Sequence, residues 1–450
     1  MDKMLYRTYV DILKEELIPA MGCTEPIAVA YAGAIAREQL GRLPEKVELT
    51  VSGNIVKNVK SVIVPNTSGR KGLRTAVSAG ICYGVASKQL EVISEVTAAQ
   101  LEELDRFLDT AEISINKSTY HCPFDIQVRV YAGDDQAYAH IFSSHTNVVE
   151  ISKNGECVFK KDFSDEIVPV PESRKLLTVN DIVDFALEVD IKDIRPVISR
   201  QIEYNMRIAQ VGMDEKYGAS IGKTLLRSYG GSVHNRAKAY AAAGSDARMN
   251  GCELPVVINS GSGNQGMTVS IPVVIYAREL GVSEDMLYRA LVISNLISIH
   301  IKTGIGSLSA YCGATSAGVG AGAGICYLYG GGAREIRHTI VNALAINSGM
   351  ICDGAKSSCA AKIASAVEAG LLGMQMDKHD RQFYDGDGIV IKGVENTIKA
   401  VGEIAREGPA VKALSEGSEG QQQGSFSGSL AAQTKLRTES KLIILVYFYF

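Results

Sequence analysis

The chain has 450 residues, with 46 Lys+Arg against 50 Asp+Glu and a formal net charge of −4. That length allows two or three domains with ample core, and the charge balance excludes the basic footprint of a nucleic-acid-binding protein. Apolar residues at 46% and charged residues at 21% exclude wholesale disorder.

From the amino terminus, MDKMLYRTYVDILKEELIPAMG has acidic residues and no continuous apolar core, so it reads as the first helix of a cytoplasmic protein, not a signal or transit peptide. Helical periodicity runs over residues 4–41 and breaks at Gly22-Cys23-Thr24-Glu25-Pro26, where Pro suits the first turn of a second helix. Val47–Val51 alternates like a strand, and residues 69–90 return to a helical pattern rich in small side chains. Strands are then predicted at Glu91–Val96, Phe124–Tyr131, Gln136–Phe142, Val148–Ser152 and Glu156–Lys160. One helix, Ala98–Asp109, lies among them, and hairpin turns fall at Gly133-Asp134-Asp135 and Asn154-Gly155. Pro169-Val170-Pro171 reads as a linker. Helices are predicted beyond it at Val179–Val189, Asp193–Gly212, Ile221–Gly230, Asn235–Met249, Glu284–Ile301, Ala333–Asn347, Ala355–Gly373 and Gly393–Arg406. The fold class expected is α+β: a predominantly helical domain with a smaller α+β module containing an antiparallel sheet.

Two uncharged stretches test a membrane reading. Thr303–Ala333 is long enough to span a bilayer, but ten of its 31 residues are Gly and few are large aliphatics, so it reads as a tightly packed central helix and loop. Pro255–Ala277 is broken by Pro272 and by the loop Ser260-Gly261-Ser262-Gly263-Asn264-Gln265-Gly266. No transmembrane segment is expected. Residues 408–450 are rich in Gly, Ser and Gln and close on nine apolar or aromatic residues. They read as a disordered tail, of the kind a shifted reading frame produces in place of a native carboxy-terminal helix.

Nine scattered cysteines, an odd number, do not form a disulfide framework. Cys82, Cys122, Cys157, Cys252 and Cys326 have no ligand-like context and read as buried filler. Four others differ. Cys23 stands just before a helix amino terminus, a position that lowers a thiol pKa, with Glu25 as a neighbouring carboxylate. Cys312 lies in a Gly-rich segment. Cys352 and Cys359 are seven residues apart, about 10.5 Å on one unbroken helix. Asp353-Gly354 interrupts the run, so a helix starting near Ala355 would let both thiols converge. Three such thiols suit zinc or an iron–sulfur cluster, although the spacing matches neither paired structural zinc nor a ferredoxin. Ser260–Gly266 offers free backbone N–H groups and the side chains of Asn264 and Gln265 to an anion. Gly218–Thr224 is one residue short of a phosphate loop and is rejected as one. The seven histidines show no metal-binding spacing and read as surface or core residues.

These segments carry a family resemblance. PAMGCTEPIAVA (19–30), SGNIVKNVKSVIVPNT (52–67), SSHTNVVEI (143–151), NSGSGNQGMTVSIPV (259–273), SLSAYCGATSAGVGAGAGICYLYGG (307–331) and MICDGAKSSCAAKIASAVEAG (350–370) resemble the L-cysteine desulfidase family, iron–sulfur relatives of the serine dehydratase α chain. The resemblance implies a [4Fe–4S] enzyme without pyridoxal phosphate, with Cys312, Cys352 and Cys359 as cluster ligands and Cys23 as a catalytic thiol. Patterning along the chain gives N-terminal helices with a short strand (1–90), an α+β module (91–172), a helical domain (173–407) that the resemblance makes the iron–sulfur catalytic domain, and the tail. The implied reaction converts L-cysteine to pyruvate, hydrogen sulfide and ammonia. Cys23 or Glu25 would take the α-proton. Thr24, Asn54, Lys57, Ser260, Ser262, Asn264, Gln265 and Lys302 are the candidates for holding substrate. The same chemistry on L-serine, or a non-catalytic redox-sensing cluster, are the alternatives. The expected partners are a small amino acid and further copies of the chain, with neither nucleic acid nor membrane.

Overall fold

In the computed structural model the described residues are 1–407 except 166–169, 307, 308 and 310. Pro169 of the expected linker and the whole tail from 408 lie outside them. The first half runs α1 (Lys3–Glu16), β1 (Pro19–Met21), α2 (Thr24–Leu40), β2 (Lys46–Val51), α3 (Gly53–Val59), α4 (Gly72–Tyr83), α5 (Ala98–Thr110), β3 (Glu112–Lys117), β4 (Asp125–Ala132), β5 (Asp135–Phe142), β6 (Val148–Lys153) and β7 (Glu156–Lys160). The second is helical: α6 (Glu172–Lys175), α7 (Val179–Glu188), α8 (Ile191–Asp214), α9 (Ile221–Tyr229), α10 (Val233–Met249), then β8 (Pro255–Val257), α11 (Gly263–Leu280), α12 (Glu284–Ile305), α13 (Ala314–Leu328), α14 (Ala333–Ile346), α15 (Cys359–Lys378) and α16 (Val394–Glu407). The protein is α+β and predominantly helical. No helix among the described residues is long and apolar enough to cross a membrane.

Six strands form one sheet in the order β3-β2-β4-β5-β6-β7, and β1 pairs antiparallel with β8. Every pairing in the six-stranded sheet is antiparallel except β2 with β3. β2 reads iBiBiB in burial, the alternation of a strand with one covered face, and α2 packs over β4 and β5. Four sequence expectations are corrected. Glu91–Val96 is not a strand: a 3₁₀ turn over Ala86–Glu91, with Gln89 at φ +48°, buries Leu90, Val92 and Ile93 without extending the chain. Glu112–Lys117 is a strand the reading missed. The Ser260–Gly266 loop is shorter than expected, because α11 already begins at Gly263 and runs through Pro272. Cys157 is not buried filler, since β7 is an edge strand with all five residues exposed.

The Gly-rich stretch is explained by α13, which lies buried between α12 and α15. Its glycines alternate between two partners. A Cβ on Gly318 would stand 2.1 Å from the Ala366 carbonyl oxygen, and one on Gly322 2.5 Å from that of Gly370, both on α15. One on Gly320 would stand 2.4 Å from the Ser294 oxygen, and one on Gly324 2.7 Å from that of Ala290, both on α12. Backbones therefore touch directly, with no side chain to slide. Gly318→Val should lower stability by about 1–3 kcal/mol or more through overpacking, read as a drop in melting temperature. An unchanged melting temperature would show that the helices can separate freely.

The amino terminus of α9 holds the rejected phosphate-loop segment. Its anion position is taken by the protein itself: Asp246 of α10, fully buried, accepts the Gly222 N–H at 3.3 Å, and its other oxygen has no partner. Burial pushes the Asp246 carboxyl up to about 6, against the pull of the Gly222 and Ile221 backbone. A carboxyl raised on folding favours the protonated folded state, so its contribution is full below the unfolded value of about 3.9 and is lost as pH rises through about 6. At 1.36 kcal/mol per unit this amounts to roughly 3 kcal/mol. Asp246→Asn should flatten the pH dependence of melting between pH 4 and 7 and should melt above the parent at pH 7.5. An identical pH profile in the variant would refute this.

Candidate active site

Cys23 caps α2, and its placement is fixed from both sides. Gly22, at φ +63°, packs so closely on Pro65 that a Cβ would stand 2.2 Å from the proline ring. Thr24, buried, donates to the Gly261 carbonyl at 3.0 Å and lies 3.1 Å from Glu25 Oε2. The Cys23 thiol donates to Glu25 Oε2 at 3.1 Å, and Asn58 Nδ2 donates to Oε1 at 2.9 Å. Burial raises the Glu25 carboxyl, but His145, the Cys23 hydrogen bond and Arg248 outweigh it and hold it below its usual range. The thiol behaves oppositely to the expectation of a helix-stabilised thiolate. Burial first and Glu25 second push it well above its ordinary value, and Arg248 offsets them only in part. One turn of backbone N–H groups does not compensate a thiolate that is buried beside a carboxylate.

The other three cysteines arrive from two segments. Cys312 precedes α13, and its N–H donates to the Met350 carbonyl at 2.7 Å, while Tyr311 and Ile351 form a β-bridge. Tyr311 lies flat on Gly349, where a Cβ would meet the ring at 2.4 Å. This joins the Cys312 segment to the Cys352 segment. The Cys312 thiol hydrogen-bonds to Cys352, which brings Cys352 down to about 5 and pushes Cys312 well up. The helix expected from Ala355 starts at Cys359 instead. Gly354, at φ +100°, turns the loop against the Lys57 carbonyl, and Ser357 is held by Asn250 at 2.7 Å, which delays the helix. Cys359 thereby faces both other thiols electrostatically and packs in one apolar cluster with Cys23, Val62, Met249 and Ala355.

Two lysines stand at the thiols. Lys57 Nζ donates to the Cys352 carbonyl at 3.3 Å. Lys302, 9% exposed, donates to the Gly306 carbonyl at 2.5 Å, and burial brings it down to about 8 despite the opposing pull of Cys312 and Cys352. Asn54 shares a helix face with Lys57 and Asn58 at three- and four-residue spacing. Gln265, buried in the first turn of α11, packs its amide against Gly313 beside Cys312, and its Oε1 has no partner. The Ser260 hydroxyl turns back to Asn259 Oδ1 at 3.0 Å, into a network with Asn295 and Gln201. Asn264 Oδ1 accepts from Arg248 at 3.1 Å, and Ser262 caps α11 without a side-chain bond.

The sequence reading overlooked Arg248, Asn58 and His145. His145 stands at Gly261, beside Glu25, with its Nε2 buried and unpartnered. The available signals were an arginine inside the small-residue run Ala241–Met249 and a histidine inside one of the family segments.

Among the described residues, no three His, Cys, Asp or Glu side chains stand close enough to share a single metal ion. The donor set suits an iron–sulfur cluster: three soft sulfurs, an apolar wall, and two lysines to offset negative charge.

The family model for the serine dehydratase alpha chain matches residues 87–414, and the chain belongs to that family. It is 55% identical over 403 residues to a UPF0597 protein of Desulfitobacterium hafniense, covering 90% of this chain and 94% of that one. A UPF0597 protein of Lachnoclostridium phytofermentans is 50% identical over 405 residues, covering 90% and 97%, and one of Treponema denticola is 44% identical over 414 residues, covering 91% and 96%.

Cys312→Ala, Cys352→Ala and Cys359→Ala are each expected to lower iron bound after anaerobic reconstitution, whereas Cys82→Ala and Cys326→Ala should keep it. Full iron content in the Cys352→Ala protein would remove that residue from the ligand set.

Proposed function

We propose that the protein is a [4Fe–4S]-dependent L-cysteine desulfidase, acting without pyridoxal phosphate, that turns L-cysteine and water into pyruvate, hydrogen sulfide and ammonia. The observation that carries the reading is the gathering of Cys312, Cys352, Cys359 and Cys23 from distant parts of the chain, with the half-buried Glu25 hydrogen-bonded to Cys23 and facing Cys352. A cluster held by Cys312, Cys352 and Cys359 would supply a Lewis acid to the leaving group at the iron without a cysteine ligand. Cys23 takes the α-proton as Glu25 takes the thiol proton along the existing hydrogen bond, a concerted transfer that needs no free thiolate where burial and Glu25 oppose one. Asn58 and Thr24 keep the carboxylate aimed. The unpartnered Gln265 Oε1 accepts from the substrate ammonium. Elimination of sulfide leaves aminoacrylate, which hydrolyses unaided.

Val62, Met249 and Ala355 favour sulfur over hydroxyl as the leaving group, because an apolar wall gives a hydroxyl no partner for the hydrogen bonds it loses. The family description favours the second reading, L-serine to pyruvate and ammonia. Parallel assays of reconstituted protein separate the two: sulfide release from L-cysteine with poor turnover of L-serine is expected, and efficient serine turnover with cysteine only inhibiting would reverse the assignment. A cluster with no turnover of either would leave a redox sensor. Cys23→Ala and Glu25→Gln should each retain iron and lose about 10²–10⁴-fold in kcat, the range for a general base. Full activity in Cys23→Ala with loss in Glu25→Gln would move the proton transfer to Glu25 alone.

A further inference from the structure

Arg248 is a buried cation that the scheme above does not use. It lies in the last turn of α10 and is 2% exposed. One of its terminal nitrogens donates to Asn264 Oδ1, and its buried Nε has no hydrogen-bond partner. Among the described residues no carboxylate forms an ion pair with it. Glu25, whose charge it feels, already receives Cys23, Thr24 and Asn58. A guanidinium taken out of water without a counter-ion is strongly unfavourable, so an anion from outside the chain would complete the site.

Its surroundings suit an anion. Gly263, the first residue of α11, lies against it, and a Cβ there would stand 2.5 Å from Nε. The amino terminus of α11 is uncapped by a side chain, so its first N–H groups add partial positive charge at the same place. Gln265, 5% exposed, stands in the same turn, and its unpartnered Oε1 is an acceptor that suits the ammonium of the same ligand and not the carboxylate. A planar fork with backbone N–H groups beside it matches a carboxylate.

We propose that Arg248, presented at the start of α11, is the carboxylate-recognising residue of this site and restricts its ligands to small molecules with a free α-carboxylate. The inference rests on the reading that the site takes a small amino acid, but it does not depend on which leaving group departs. The rival role is neutralisation of the cluster thiolates, since Arg248 also feels Cys359.

Binding to reconstituted protein of two probes decides it: 3-mercaptopropionate, which keeps the thiol and carboxylate of cysteine, and cysteamine, which keeps the thiol and amine. The parent should bind the first and discriminate against the second. Arg248→Gln should weaken 3-mercaptopropionate by about 30-fold or more, leave cysteamine unchanged and retain iron, and Arg248→Lys should restore part of the loss. Equal binding of both probes by the parent, which needs no variant to fold, overturns the proposal. So does loss of iron from Arg248→Gln with the probe ratio preserved. Carboxylate selectivity without sulfide release from L-cysteine would overturn the desulfidase reading alone.

Discussion

The structure depends on backbone touching backbone where α13 crosses α15. Gly318 and Gly322 meet Ala366 and Gly370, and a methyl group at either α13 position would fall inside a carbonyl oxygen. Contacts of this kind have no rotamers, so they fix the two helices without adjustable parts. The consequence lies at their amino ends. Cys312 enters α13 and Cys359 opens α15, so the crossing sets where both thiols stand. Cys352 is then tied by the Cys312 N–H bond to Met350 and by the turn at Gly354. A site that must hold several sulfurs in register is built on the most rigid part of the molecule.

The second theme is buried charge. Lys302 and Arg248 are withdrawn from water and held by partners that leave each short of full compensation, whereas the neighbours of the half-buried Glu25 keep it ionised. Among the described residues, the Arg248 Nε, Gln265 Oε1 and His145 Nε2 have no hydrogen-bond partner. Folding to this arrangement is costly and persists only if the rest of the core is strong. The long apolar helices α11, α12 and α13, which are almost wholly buried, supply that strength. The polar atoms left over describe a small zwitterion in outline: positive charge at α11 for a carboxylate, an amide oxygen for an ammonium, and apolar side chains beside the thiols.

What could be read in the sequence follows from how local each signal is. The long helices were visible because their periodicity and caps are local, as with Thr178 before α7 and Ser283 before α12. The break at Asp353-Gly354 was enough to bring Cys352 and Cys359 together, whereas joining Cys312 and Cys23 to them came from the family resemblance. Arg248 was invisible because its burial comes from α11 folding over α10, and a lone arginine near a helix end ordinarily reads as a solvated cap. β3 was missed because its parallel partner, β2, lies more than sixty residues away, with α4 and α5 between. The depressed thiol expected of Cys23 failed for a similar reason: the helix amino terminus is a local feature, but burial under Val62 and Met249 is not.

In the proposed reading, these cysteines form one site in which L-cysteine meets the iron left without a thiolate ligand. Mössbauer spectroscopy of iron-57-reconstituted protein, with and without L-cysteine, tests it most directly. The account predicts a four-iron spectrum in which one iron differs from the other three and alone shifts when L-cysteine is added. Four equivalent irons that ignore the amino acid, or no stoichiometric iron at all, would contradict it.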